Sequence, residues 1–158
     1  MTFTRQRLLL LIALFCFAAV GLALLSQHVF DMPPCAWCVL QRLVFVVIGV
    51  VSLIGALAPA LARLGAALAS LLALCGMAAA LYQYTVAANM LSCDQTFADR
   101  FMTGTGLESA LPWVFGIYAT CMDAVVSVLG IEYALWSLAL FVILFLMALP
   151  VALGRVGR

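Results

Sequence analysis

Pro33-Pro34-Cys35-Ala36-Trp37-Cys38-Val39-Leu40-Gln41-Arg42 interrupts two long apolar runs, and that interruption decides how the chain is organised. Before it, residues from about 8 to 26 carry no charge. After it, residues 43–58 are again apolar. About 20 apolar residues cross a hydrocarbon core, so a polar turn between two such runs reads as the tip of a helical hairpin at one membrane surface. Two further runs, at about 66–88 and 134–153, bring the number of spans to four. The sequence therefore predicts an all-α integral membrane protein. It is expected to be a four-transmembrane-helix bundle, a single membrane domain over 1–158, with outer loops at about 27–42 and 89–133.

Composition agrees with this reading. Of 158 residues, 68% are hydrophobic and 8% charged, and the mean hydropathy is +1.29. A soluble domain is about half apolar and about a quarter charged. There is no lysine, and the seven arginines are scattered, which excludes the basic footprint of a nucleic-acid-binding protein. Gly21, Gly49, Gly55, Gly76 and many alanines supply the small residues that let membrane helices approach closely.

The few charges are sorted. With four spans, Arg5, Arg7, Arg63, Arg155 and Arg158 share one side of the membrane. All six acids (Asp31, Asp94, Asp99, Glu108, Asp123, Glu132) fall on the other side with Arg42 and Arg100. By the positive-inside rule both termini are cytoplasmic and both loops periplasmic, in a compartment where disulfides form and persist. Arg5 and Arg7 also resemble the basic start of a signal peptide. The apolar run that follows is longer than such a peptide needs, and no small-x-small cleavage site follows it, so the segment is expected to stay as the first span.

Cys35 and Cys38 have the spacing that puts two sulfurs on one turn. Pro34 suggests a helix starting here, because proline is tolerated at the first helical position. The unpaired N–H groups and partial positive charge of that helix end favour a thiolate. Arg42 follows Cys38 by four residues and so shares its helix face. A guanidinium there is expected to hold Cys38 as thiolate and to steady an anionic partner, with no dependence on pH. A side chain merely snorkelling to the interface explains Arg42 less well. It stands at the unfavourable end of the helix dipole and on the side poor in arginine.

Cys93 and Cys121 lie in the second outer loop. A disulfide between them would close most of it and contribute about 3–4 kcal/mol by loop entropy. Zinc binding is not expected, because the 28 positions from Cys93 to Cys121 lack the paired spacing of zinc ribbons. Two dithiols at different depths suggest a relay by thiol–disulfide exchange. A soluble thiol protein would feed Cys93 and Cys121, which would feed Cys35 and Cys38. A lipid-soluble quinone approaching Cys38 and Arg42 from the bilayer fits as the acceptor.

Over nearly its whole length the chain resembles the DsbB family of bacterial inner-membrane disulfide oxidases. The resemblance rests on Gln27-His28-Val29, on Pro34-Cys35-x-x-Cys38 with Gln41-Arg42, and on Cys121 followed by Leu129-Gly130-Ile131-Glu132 and Trp136. It implies a disulfide-generating thiol:quinone oxidoreductase that reoxidises a periplasmic DsbA-like protein and reduces ubiquinone or menaquinone. By the same resemblance Cys38 is the thiolate that meets the quinone, and Cys35 exchanges with the second pair. Cys93 forms the mixed disulfide with the DsbA-like partner, Cys121 is its companion, and Arg42 belongs to the quinone site. There are departures. Many members carry a histidine near the outer end of the third span, where this chain reads Leu81-Tyr82-Gln83-Tyr84-Thr85-Val86. Members often have a tryptophan where Val126 stands.

Other residues receive plainer roles. Cys16 and Cys75, mid-span, are expected to be small packing residues. His28, the only histidine, is expected to anchor at the interface. Trp37 packs either on a quinone or on its own loop, and Asp123 and Glu132 are expected to be solvated. The aromatic stretch 110–118 is too short to span and reads either as a segment in the interface or as a loop packed on the helices. Two alternatives compete with the disulfide oxidase. One is a vitamin K epoxide reductase-like enzyme, although that family usually carries its CxxC in the fourth span. The other is a non-catalytic scaffold or small transporter with structural disulfides, for which the spans offer no buried acid or lysine.

Overall fold

The computed structural model describes residues 4–90 and 96–156. Four long helices form the bundle: α1 (Arg5–Val29), α2 (Ala36–Leu57), α3 (Ala62–Thr85) and, at the end of the chain, α7 (Tyr133–Ala152). All four are long and apolar enough to cross a membrane, with α3 extended at both ends by 3-10 turns, at Pro59–Leu61 and Ala87–Asn89. The expected spans are therefore present, with shifted ends. The first gains about a turn on each side. The second begins at Ala36, not near residue 43, and takes Cys38 and Arg42 inside the helix, with Cys35 at its N-cap. Loop 27–42 shrinks to residues 30–35.

The start of α2 differs from the expectation in one detail. Cys35 is the N-cap, extended at φ −86° and ψ 172°, and Ala36 is the first helical residue. Pro34 lies outside the helix because its carbonyl has another use. It accepts the backbone N–H groups of Tyr118 at 3.0 Å and Ala119 at 3.2 Å, which ties the second outer loop to the start of α2.

Within the bundle α3 lies against both α2 and α7, and α2 against α1. Small residues set the approach. A Cβ at Gly65 would stand 2.7 Å from the carbonyl oxygen of Val51 on α2, and one at Gly76 would collide with the ring of Phe141 on α7. Phe141 is fully buried and stacks on Phe45 with ring centroids 4.1 Å apart. Leu14, Leu22, Leu71 and Leu146 are exposed, as the outward face of a bundle solvated by lipid demands. At one end Arg5 Nε donates to the Val156 carbonyl at 3.1 Å, and the Arg63 guanidinium lies against Gly154. The chain ends and the first inner turn thus meet where the charge pattern puts the cytoplasm.

The long outer segment carries more structure than a loop. Between residues 96 and 132 it forms α4 (Phe97–Thr105), α5 (Leu107–Ala110), α6 (Pro112–Phe115) and a two-stranded hairpin of β1 (Ser127–Val128) and β2 (Ile131–Glu132). Thr96 caps α4 by accepting the Asp99 N–H at 3.3 Å, and Gly106 at φ 70° ends it, the left-handed stop that glycine adopts without cost. The hairpin turns at Leu129 and Gly130, both at positive φ, as a two-residue turn matching strand twist requires.

The Gly65 contact is with backbone, which cannot swing away as a side chain end can. Gly65→Ala is expected to lower stability by about 1–3 kcal/mol. Gly21→Ala, with nothing within 4 Å of its Cβ, is expected to be neutral or slightly stabilising. Unfolding titrations in mixed micelles compare the two.

Candidate functional site

The outer end of the bundle has its own buried cluster, distinct from the mid-bundle core. Cys35, Ala36, Trp37, Val39 and Leu40 at the start of α2 pack there with Ala98 and Met102 of α4, Phe115 of α6, and Cys121 and Ala124. The long outer segment, joined to the start of α2 by the bonds to the Pro34 carbonyl, therefore brings Cys121 into one apolar environment with the dithiol. Cys121 is disulfide-bonded. Cys93 lies outside the described residues.

Cys35 and Cys38 are both free thiols, with sulfurs 3.2 Å apart. That is contact distance and not the about 2.05 Å of a bond. Cys35 is fully buried and Cys38 partly open. Cys35 precedes the membrane helix, and its thiol is pushed well above the usual range by its hydrogen bond with Cys38 and by burial. Cys35 thus favours its protonated form. The N-terminal turn of α2 adds its partial positive charge at the same place.

The polar groups around the pair are organised by three amides. Gln83 on α3 donates from Nε2 to Cys38 Sγ at 3.2 Å, with Cys35 Sγ at 3.9 Å. Gln41 on α2 donates to Gln83 Oε1 at 2.6 Å. Arg42, only 5% exposed, donates from Nη1 to Gln27 Oε1 of α1 at 2.9 Å and to the Val114 carbonyl of α6. Arg42 is buried and does not snorkel, as expected. Its hydrogen bonds go to Gln27 and Val114, while the side chain that donates to Cys38 is Gln83. Gln27, Gln41 and Gln83 carried a legible signal: a primary amide inside an apolar span is costly unless paired.

Trp37 packs on Tyr82 of α3 with ring centroids 4.7 Å apart. His28 stacks on Trp113 at 4.8 Å, and its Nε2 lies 3.1 Å from the Trp113 carbonyl, so the one histidine anchors the outer segment and does not address the sulfurs. Stretch 110–118 combines both of its expected characters. Phe115 is buried in the cluster while Trp113 and Tyr118 stay exposed. Asp123 is exposed and accepts from Thr120 Oγ1 at 2.6 Å. Cys16 is buried in the core of the bundle and Cys75 is exposed on α3.

At the outer end of α2 two donors remain open. Arg42 Nε and Trp37 Nε1 are buried with no hydrogen-bond partner among the described residues. A buried orphan donor is costly, and a ligand with carbonyl oxygens would relieve it. An open cleft of about 510 Å³ lies on the Gln27 side, lined by Gln27, His28, Pro33, Trp113 and Tyr118 among others, within the size range of small-molecule sites.

Arg42→Met leaves Gln27 Oε1 and the Val114 carbonyl without their donor, at about 1–3 kcal/mol. It is expected to loosen the outer layer while sparing the bundle. Amide exchange over 112–119 should quicken about tenfold or more, with little change in the middle of α3.

Comparison with known proteins places this arrangement. Residues 5–151 match the family model described as "Disulfide bond formation protein DsbB". The chain is 40% identical over 150 residues to Disulfide bond formation protein B of Ralstonia nicotianae, covering 94% of each chain. It is 35% identical over 150 residues to the protein of the same name from Cupriavidus necator, covering 94% of this chain and 91% of that one. With the counterpart from Herminiimonas arsenicoxydans it shares 29% over 146 residues, covering 91% and 92%.

Proposed function

The chain belongs to the DsbB family of disulfide bond formation proteins, multi-pass oxidoreductases of the inner membrane, and we propose that it is the thiol:quinone member that recharges a periplasmic DsbA-like protein. One observation carries this reading: an open dithiol at a helix N-terminus shares a buried cluster with Cys121, itself in a disulfide. Free thiols and a disulfide sulfur thus share a single apolar environment.

The relay balances as follows. A thiolate of the DsbA-like protein attacks Cys93 in a Cys93–Cys121 disulfide, and Cys121 leaves with the electron pair. The partner's second thiolate then displaces Cys93, so the partner departs oxidised and the pair remains as a dithiol. A thiolate of that pair attacks Cys35 in a Cys35–Cys38 disulfide, and Cys38 leaves. Its companion closes the outer disulfide again, and both electrons now reside on Cys35 and Cys38.

To re-form their bond, Cys35 and Cys38 must lose two electrons and two protons. Ubiquinone or menaquinone, when bound, would supply the two-electron acceptor. Arg42 Nε and Trp37 Nε1 suit its carbonyl oxygens as the buried donors without partners. Cys38, half-open beside the fully buried Cys35, is the sulfur placed to meet it. Burial keeps water from Cys35, so that its thiol closes on Cys38 and not on a stray disulfide.

Purified protein mixed with a reduced DsbA-like protein and a soluble quinone should reduce the quinone and oxidise the partner in equal amounts. Cys93→Ser and Cys38→Ser should each fall to the uncatalysed rate. Equal quinone reduction by Cys93→Ser and the unaltered protein would end the relay.

A further inference from the structure

Gln83 lies beside the Cys35–Cys38 dithiol and on the same small cavity as Cys121. Its Nε2 reaches Cys38 Sγ at 3.2 Å and lies 3.9 Å from Cys35 Sγ, and it also lines a small cavity with Cys121, Ala124 and Tyr133. A primary amide has two faces, and rotation by half a turn would aim its oxygen at the sulfurs instead. Gln41 opposes this, because turning Gln83 alone would set its NH2 group against the NH2 group of Gln41. Its Nε2 donates to Gln83 Oε1 at 2.6 Å, and since a carbonyl oxygen is the only acceptor an amide offers, the NH2 group is left facing Cys38. Both glutamines are buried, at 3% and 9% exposure, where such a bond competes with little water. Arg42 does not take this role, since its hydrogen bonds go to Gln27 and Val114.

We propose that Gln83 is a catalytic residue of the dithiol site, with Gln41 as its positioning residue: an uncharged donor that takes up the negative charge on Cys38 when the Cys35–Cys38 bond breaks. The inference rests on the reading of this site as an exchanging dithiol. In the step concerned, an incoming thiolate forms a bond to Cys35 and Cys38 departs with the electron pair. The N–H group at 3.2 Å meets that charge as it develops. A donor binds an anionic sulfur more strongly than a sulfur in a disulfide, so Gln83 favours the reduced form of the pair and makes it the stronger oxidant. An amide does not titrate, so the donor is present at every pH and its effect follows the charge on Cys38.

The test is a redox titration of Cys35 and Cys38 in the purified full-length protein against a glutathione buffer, read by alkylation and peptide mass analysis. Gln83→Met keeps length and volume but removes the donor. It is expected to shift the equilibrium toward the disulfide by about tenfold, the effect of one hydrogen bond to a charged group, equivalent to about 30 mV for a two-electron couple. Gln41→Met should shift it in the same direction by a smaller factor, and the double variant should match Gln83→Met alone, since Gln41 acts through Gln83. An unchanged equilibrium in a folded Gln83→Met protein overturns the proposal, as do additive shifts in the double variant. If Gln83→Met does not fold, Gln41→Met decides by the same titration: a shift supports the proposal and none overturns it. The titration uses neither quinone nor partner. Failure of the unaltered protein to reduce quinone would therefore remove the relay reading and leave this result standing.

Discussion

A guanidinium buried at the outer end of α2 must be paired, and the pairing of Arg42 governs how the rest of the outer layer is built. Its bonds run to Gln27 on α1 and to the Val114 carbonyl on α6, so one side chain fastens three separate parts of the chain. The Pro34 carbonyl, held by the N–H groups of Tyr118 and Ala119, provides a second fastening close by. Between them the long outer segment is drawn down over the start of α2, and Cys121 is buried where the dithiol is buried. Without that constraint the four helices would still form a bundle, but Cys121 would have no reason to share one apolar cluster with the dithiol.

The bundle and the outer layer are stabilised by different means. The bundle depends on close approach, with Gly65 against the Val51 backbone and Gly76 beneath Phe141, in a solvent that provides no hydrophobic drive between helices. The outer layer depends on a handful of polar bonds to Arg42, Pro34 and His28, over a compact apolar cluster. A division of this kind suits thiol exchange. Sulfurs that must approach and separate need surroundings that yield, whereas the helices that hold them must not.

Much of this was legible in the sequence. Four uncharged runs and a sorted set of arginines sufficed for the bundle and for the end at which the chain termini meet, because span length and charge bias are physical requirements of a bilayer. The two cysteine pairs and Arg42 were legible as well. The boundaries were not. Pro34 signalled a helix start, yet Cys38, Gln41 and Arg42 set the expected edge of the second span near residue 43, whereas the membrane helix runs from Ala36. Their polar groups are paired across to Gln27 and Gln83, and no reading of one segment at a time contains that register. The Thr96-x-x-Asp99 cap of α4 was available as a local signal, and the Leu129-Gly130 turn less so, since leucine seldom adopts positive φ. Gln83 was the largest omission. Its meaning arises only once α2 and α3 are side by side.

The distribution of indole rings has a practical side. The chain has three tryptophans, and all of them sit at the outer end: Trp37 against Tyr82, Trp113 stacked on His28, and Trp136 donating to the Val128 carbonyl at 3.2 Å. The cytoplasmic half of the bundle has none. Intrinsic fluorescence of this protein is therefore a selective optical signal. It follows the outer layer that holds the dithiol, is silent about the helices beneath, and needs no introduced dye.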